Sequence, residues 1–428
     1  MKHTVTEHKL AGGAKGLVVH VPNAPVINLV IRFNSGFQFG PRDKYELSHV
    51  LEHLMGCGSK AYPVPSEFKI EVQKNGAYRN AYTTSSVNGY VLEFAPFELE
   101  RIMGLLKEYL CHPIFPDAAV PTELSNVGEE LKRFTTQYGA VCTMNLSEYS
   151  FPEEDLGWHT RIDQLSSINR DEVVGHYKRT HTRDNARFFL GGDFPDGGAS
   201  VAGMVDQALS DLLPGERMMP SRAIGLNVET PVVQTEDIKQ IYYELDCYGG
   251  ELTLPERRAL LLGRIILSGG HASRIYGRAR DRGLAYDLST PTSTGKGRSA
   301  IGLSGYVTPT NAKELFELSA TEFTKLRLGE LNNQELTAAK DLVIGSTLRS
   351  RQTAQDMLGW YISPYDHDDR VDDFDEFMAL VREVKSEEVV SVMGKLPLEG
   401  RHGVSFVGPV DEKLAGEYAK ILEPIWQA

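Results

Sequence analysis

Apolar and polar positions recur along the chain in two blocks that share one plan. In the first block, residues 16–21 and 26–33 read as strands joined by the turn residues Pro22-Asn23-Ala24-Pro25, and Asn34-Ser35-Gly36 stops the second strand. A helix follows, led in by Glu46-Leu47-Ser48, with Leu51 and Leu54 placed to face a core, and ended by Gly56-Cys57-Gly58. Residues 66–75 have helical spacing, 81–95 alternate as a strand pair or one long strand, and 99–110, 122–134 and 171–180 read as helices. Residues 186–192 read as a terminal strand. Residues 213–222 have linker composition and no strong period. The plan then returns: a strand at 238–248 ending at Gly249-Gly250, a helix at 255–267 ending in Ser268-Gly269-Gly270, a strand at 302–307 and an amphipathic helix at 312–326. The expectation is a duplication, carried by order and punctuation rather than identity, with domains at 1–213 and 231–428 and a linker at 214–230.

At 428 residues the chain is long for one hydrophobic core, which fits two or more domains. With 41% hydrophobic and 24% charged residues, its composition is that of a soluble globular protein. The formal net charge of -13 argues against general nucleic-acid binding and for tolerance of basic or neutral partners. Cys57, Cys111, Cys142 and Cys247 are scattered with no C-x-x-C pair, so they read as reduced thiols rather than a disulfide framework or a thiolate zinc site. No apolar run reaches the length of a membrane span, and the first residues lead into no apolar segment. A soluble, cytoplasmic protein with no membrane partner is expected, unless a targeting segment precedes residue 1.

The chemistry concentrates in His49-Val50-Leu51-Glu52-His53. On a helix, positions i and i+4 share a face and i+3 lies beside them, so two imidazoles can bind one metal ion with a carboxylate next to it. This is the H-x-x-E-H signature of inverted zincins. With 12 His in 428 residues the pattern arises by accident in roughly 3% of such chains, so alone it suggests a metal site without establishing one. A catalytic zinc takes three protein ligands and keeps one position open for water. The helix at 122–134 offers Glu123, Glu129 and Glu130 as the third. The matching helix of the second block carries Ala259-Leu260-Leu261-Leu262-Gly263 instead, so that copy lacks the ligands. His20, His112, His159, His176, His181, His271 and His367 fit no ligand spacing.

With its neighbours, this motif resembles the pitrilysin or insulinase family of metallopeptidases (M16), of the short-chain, processing-peptidase type, over nearly the full length. Gly58-Ser59-Lys60-Ala61-Tyr62-Pro63 and Asn80-Ala81-Tyr82-Thr83 look like the segments that follow the family's H-x-x-E-H. The family's distal helix carries two glutamates seven apart, the second a zinc ligand. Glu123 and Glu130 fit that spacing, with Glu129 as the alternative ligand. Ser273-Arg274-Ile275-Tyr276, Arg280-Asp281 and Gly283-Leu284-Ala285-Tyr286 resemble the segment holding the family's arginine–tyrosine pair. The family places its Arg seven residues before the Tyr, where this chain has Ala279. Arg280 is favoured over Arg278 because it keeps the Arg-acidic pair aligned.

The resemblance implies an α+β fold: two homologous α/β-roll halves, each a mixed sheet with helices on one side, facing each other as a clamshell. It implies Zn²⁺ on His49, His53 and Glu130, with Glu52 as general base. Tyr286 would donate to the oxyanion, with Arg280 beside it. Glu123 would orient a ligand or assist the water. Asn80, Ala81, Tyr82 and Thr83 would form an edge strand that pairs with an extended substrate. The implied activity is zinc-dependent endoproteolysis of unfolded peptides or flexible segments inside a chamber, closed by a homodimer or by a heterodimer with a related M16 chain. Two other readings stand beside it. One is a non-catalytic subunit of the same family that binds peptides or scaffolds an active partner. The other is a structural zinc site, to which Cys57, four residues after His53, could add a ligand.

Overall fold

The computed structural model describes residues 2–220 and 223–427, so Ser221 and Arg222 of the expected linker lie outside the described residues. The first block opens with strands β1 (Thr4–Lys9), β2 (Lys15–His20) and β3 (Ile27–Asn34). Helices α1 (Leu47–Met55) and α2 (Pro65–Gln73) lead to a hairpin, β4 (Tyr78–Thr83) and β5 (Val87–Phe94). Then come α3 (Leu99–Cys111), α4 (Val120–Thr135), α5 (Tyr138–Ser150), α6 (Trp158–Gln164), α7 (Arg170–Thr180), β6 (Ala186–Gly192) and α8 (Ala199–Ala208). The second block holds β7 (Val232–Thr235), β8 (Ile241–Gly249), α9 (Leu254–Ser268), α10 (Tyr276–Asp281), β9 (Leu288–Ser289), β10 (Thr292–Gly295), β11 (Arg298–Val307) and α11 (Pro309–Arg327). It closes with α12 (Asn333–Arg349), α13 (Ala354–Asp368), α14 (Phe374–Glu383), α15 (Ser386–Gly394), β12 (His402–Gly408) and α16 (Glu412–Leu422). Among the described residues no helix is long and apolar enough to cross a membrane.

Two mixed sheets organise these elements. The first runs β1-β2-β6-β3-β5-β4, with β2 and β6 parallel and every other pair antiparallel. The second runs β7-β12-β8-β11-β10, with β7 and β12 parallel and the rest antiparallel, and β9 pairs with β11 outside that path. Setting β1 and β9 aside, both sheets read first, last, second, fourth and third strand of their block, with the parallel pair in the same place. The duplication is therefore one of topology, and α1 and α9 hold equivalent places between the second and third strands.

The chain divides into two compact units that do not separate at a single point. The first comprises Met1–Lys132, His159–Ser221 and Ser350–Val371; the second comprises Arg133–Trp158, Arg222–Arg349 and Asp372–Ala428. A division in 214–230 would leave α5 with the first block and α13 with the second, whereas each packs on the other block's sheet. The reason is burial on both faces. β6 is buried at every position and β3 at all but one, so a second layer must cover them. In the first unit α13 packs on β6, β2 and β3. Its Tyr365 ring meets Phe189 edge-on at 6.0 Å, and a Cβ on Gly191 would stand 2.9 Å from the Ala354 carbonyl oxygen. In the second unit α5 does the same for β8 and β12. Cys142 Sγ donates to the Ser405 carbonyl at 3.3 Å, and a Cβ on Gly403 would stand 2.6 Å from Leu146.

Both crossing helices cover charged strand residues, in different ways. Under α13, Arg32 of β3 pairs at 2.9 Å with the almost fully buried carboxylate of Asp366, on α13 itself, which also pairs with Arg217 at 2.8 Å. Under α5, Glu244 and Asp246 sit two residues apart on one face of β8, and Thr143 Oγ1 donates to Glu244 at 3.1 Å. Burial, then the Asp246 charge, pushes the Glu244 carboxyl above the usual carboxylate range, and burial raises Asp246 as well.

Two predictions follow from these contacts. Replacing Asp366 with Asn leaves two buried guanidinium groups under-paired and should cost roughly 3–5 kcal/mol in urea unfolding. Glu244 acts through pH. An acid whose pKa is raised on folding keeps its proton where the unfolded chain has lost it, so stability falls as pH rises from the ordinary carboxylate range through the raised value. Glu244→Gln keeps an acceptor for Thr143 and should raise the melting midpoint at pH 8 while changing it little at pH 4.

Candidate metal centre

Helix α1 buries Leu47, Val50, Leu51, Leu54 and Met55 and turns His49, Glu52 and His53 the other way. Gly56 ends it, its N–H reaching the carbonyls of His53 and Leu54. The two imidazole rings lie 4.9 Å apart and nearly perpendicular. Helix α4 buries Val127 and Leu131, and the 3.6-residue period puts Glu123 and Glu130 on a common face two turns apart. His49 Nε2 is 3.5 Å and His53 Nε2 3.8 Å from the Glu130 carboxylate. One ligand atom from each of His49, His53 and Glu130 lies within 4.8 Å of the other two. Glu129, the alternative, points to solvent and pairs with Lys132 at 2.8 Å.

The other nitrogen of each ring is also held. Glu46 Oε2 lies 2.8 Å from His49 Nδ1, and Glu123 Oε2 lies 3.0 Å from His53 Nδ1. An ionised carboxylate can only accept, so each Nδ1 carries a proton, and in the neutral ring Nε2 is the nitrogen left with a lone pair. Glu123 thus contacts the His53 ring, and it also accepts from Asn126 and from the Cys57 thiol. Cys57 is directed at Glu123, and burial and that negative neighbour push its thiol up to about 12.

Glu46 was not singled out by sequence reasoning. Its carboxylate is fully buried and binds Arg161 Nε at 2.5 Å, while the Arg161 guanidinium lies 4.9 Å over both the Phe37 and Tyr45 rings. Burial opposes ionisation of Glu46, but the His49 hydrogen bond and the Arg161 charge outweigh it and hold its carboxyl below the usual range. The same pairing acts on His49. Burial favours the neutral ring, yet the hydrogen bond and charge of Glu46, with the charges of Glu52 and Glu130, raise its pKa. The available signal was position: Glu46 is three residues before His49, on the same side of the helix.

Asn80, Ala81, Tyr82 and Thr83 lie on β4, the terminal strand of the first sheet, paired with β5 on one side. Tyr82 lies against its cross-strand partner Gly89, where a Cβ would come within 2.2 Å of the ring. Thr83 turns to the other face, and its hydroxyl donates to Glu52 Oε2 at 2.6 Å. Arg280 and Tyr286 meet in the second unit. The Arg280 guanidinium lies 4.8 Å over the Tyr286 ring and donates to the Tyr276 hydroxyl at 3.0 Å. Tyr286 is 70% exposed. Arg278 instead pairs with Glu322 at 2.5 Å.

A two-unit α+β chain with this motif has known counterparts. The family model for insulinase (peptidase family M16) matches residues 17–163, and the model for the peptidase M16 inactive domain matches residues 167–343. The chain belongs to the M16 peptidase family. The alpha subunit of the mitochondrial processing peptidase of Bos taurus is 20% identical over 433 aligned residues, covering 91% of this chain and 79% of that one. The insulin-degrading enzyme of Drosophila melanogaster is 25% identical over 122 residues, 28% of this chain and only 12% of that protein's length. A solved peptidase M16 inactive domain from Pseudomonas fluorescens has the same fold, with TM-score 0.84 over 95% of this chain and 98% of that one at 17% identity.

Proposed function

We propose that this chain is a zinc-dependent endopeptidase acting on extended, unfolded peptide segments. The observation that carries the reading is the orientation of the two imidazoles: each Nδ1 is held by a carboxylate, and both Nε2 atoms converge with Glu130. The donor set fits zinc by its chemistry, with two nitrogens, one carboxylate oxygen and, among the described residues, no fourth protein ligand. Bound by His49, His53 and Glu130, zinc would supply Lewis acidity toward a water and a peptide carbonyl. Glu52 then takes the water proton and delivers it to the leaving amine. Glu46 and Glu123 keep both rings in the binding tautomer.

The outer edge of β4, along Asn80–Thr83, offers backbone to an extended chain, a mode that selects unfolded segments because a folded one has no free strand. The exposed Tyr286 hydroxyl, beside Arg280, is proposed as a donor to a substrate oxygen. Likeness to a processing-peptidase subunit supports assembly with a second copy or a related M16 chain around a substrate chamber. The four free thiols support a reducing, cytoplasmic setting.

One alternative has its own support. The relative matched along most of this chain is one subunit of a peptidase, and the second family model describes an inactive domain. A non-catalytic subunit that binds peptides or scaffolds a partner would fit both.

Incubating zinc-loaded protein and its Glu52→Gln variant with unstructured peptides, read by mass spectrometry, separates the two. Cleavage by the wild type and a loss of at least about a hundredfold in the variant is expected; no cleavage by the loaded wild type selects the non-catalytic subunit. Chelator competition tests the ligand set. Glu123→Gln should weaken zinc binding about 10–100-fold by loosening His53, whereas Glu129→Gln should leave it unchanged.

A further inference from the structure

We infer that Thr83 is a positioning residue for Glu52, and that a buried relay through Asn88 fixes the direction of its hydroxyl. The inference rests on the proposed role of Glu52 as proton acceptor.

Thr83 and Asn88 are directly opposite partners in the β4–β5 hairpin, so their side chains share one face, the face beneath α1. Asn88 is fully buried, as are Ser35 and Ser48. The Asn88 amide can sit only one way round. Its Nδ2 lies 3.2 Å from the Ser48 carbonyl oxygen, which can only accept, and its Oδ1 receives the Ser35 hydroxyl at 2.5 Å. The remaining Nδ2 hydrogen goes to Thr83 Oγ1 at 2.6 Å.

Thr83 has one hydroxyl hydrogen. With a lone pair already occupied by Asn88, that hydrogen is directed at Glu52 Oε2, 2.6 Å away. A hydrogen bond this short to a carboxylate is of the charge-assisted kind and holds the group firmly. It occupies Oε2 and leaves Oε1 as the oxygen that accepts a proton. The Ser48 carbonyl that sets the amide belongs to α1 itself, one turn before Glu52. The helix that carries the carboxylate thus also fixes the donor that aims it. A Val at 83 keeps the shape and removes the hydrogen.

The test compares zinc-loaded wild type, Thr83→Val, Thr83→Ala and Thr83→Ser by zinc content, by steady-state cleavage of an unstructured fluorogenic peptide, and by crystal structures of the loaded proteins. The expected result is full zinc content throughout and a kcat about tenfold or more lower in Thr83→Val and Thr83→Ala with KM within about twofold, since small misplacement of a reacting group is costly. Thr83→Ser should recover most of the loss. Glu52 should take one position in the wild type and Thr83→Ser, and more than one in Thr83→Val. Wild-type kcat in Thr83→Val, a change confined to KM, or a single unchanged Glu52 position in that variant overturns the inference. Should the loaded wild type cleave nothing, the proposed activity fails, and the Glu52 positions in the crystals still decide the role of Thr83.

Discussion

Two imidazoles present the same nitrogen to one point because a carboxylate holds the opposite nitrogen of each. Helical spacing puts His49 and His53 on one face of α1, but spacing alone leaves each ring free to turn and to place its proton on either nitrogen. Glu46 removes that freedom from His49 and Glu123 removes it from His53. One orienting group comes from the same helix and one from α4, so the site needs α1 and α4 in fixed relation. Glu46 is in turn fixed by Arg161, whose guanidinium lies 4.9 Å from both the Phe37 and Tyr45 rings. A polar centre half open to solvent is thereby set by a side chain with no exposure at all.

The same logic of buried polar groups with assigned partners runs through the rest of the molecule, and it separates the two halves of the duplication. Their sheets share one topology, and each has a far face covered by a helix from the other block. Under α13, Arg32 of the first sheet shares with Arg217 the carboxylate of Asp366, which α13 itself supplies. Under α5 the second sheet places two carboxylates, and burial raises the pKa of both. The helices that correspond to each other diverge as well. Where α1 turns two imidazoles and a carboxylate outward, α9 buries Ala259, Leu260, Leu262 and Gly263, and a Cβ on Gly263 would stand 2.9 Å from the Met393 sulfur. The second copy spent its equivalent helix on packing, which explains how it keeps the fold without the ligands.

The elements legible in the sequence are the strongly periodic ones, whereas α5, α6, α8 and every element after residue 327 were not read from it. The strands at 16–21, 26–33 and 186–192, the helices at 99–110 and 171–180, and the second-block helix at 312–326 all lie within a few residues of the observed elements. That His49, His53 and Glu130 come together was legible because helix geometry turns a spacing of four, or of seven, into a shared face. What was not legible was allegiance. Periodicity shows that a segment has an apolar face but not which sheet that face will meet, so nothing in 138–150 or 354–368 marks α5 and α13 as exchanged. Glu46 was hidden for a related reason, since an acidic residue just before a helix reads as favourable to its N-terminal dipole whether or not it also binds an imidazole. Thr83 was placed in the substrate strand by likeness, and only the cross-strand register shows its side chain turned toward Glu52 instead.

Charge balance gives a final constraint on the centre. Glu46, Glu52, Glu123 and Glu130 surround two imidazoles that are neutral in their binding tautomer. Arg161 offsets Glu46, while among the described residues no Lys or Arg forms an ion pair with Glu52, Glu123 or Glu130. Such a surplus of negative charge destabilises the fold locally unless something positive offsets it. Protons can do so in part, which is the direction in which the surrounding carboxylates move His49. A divalent cation would do so more fully, and it would compete with a proton for the His49 Nε2. The carboxylates that raise the His49 pKa would equally favour a cation, and the Nδ1 contacts leave Nε2 as the nitrogen such a cation would meet.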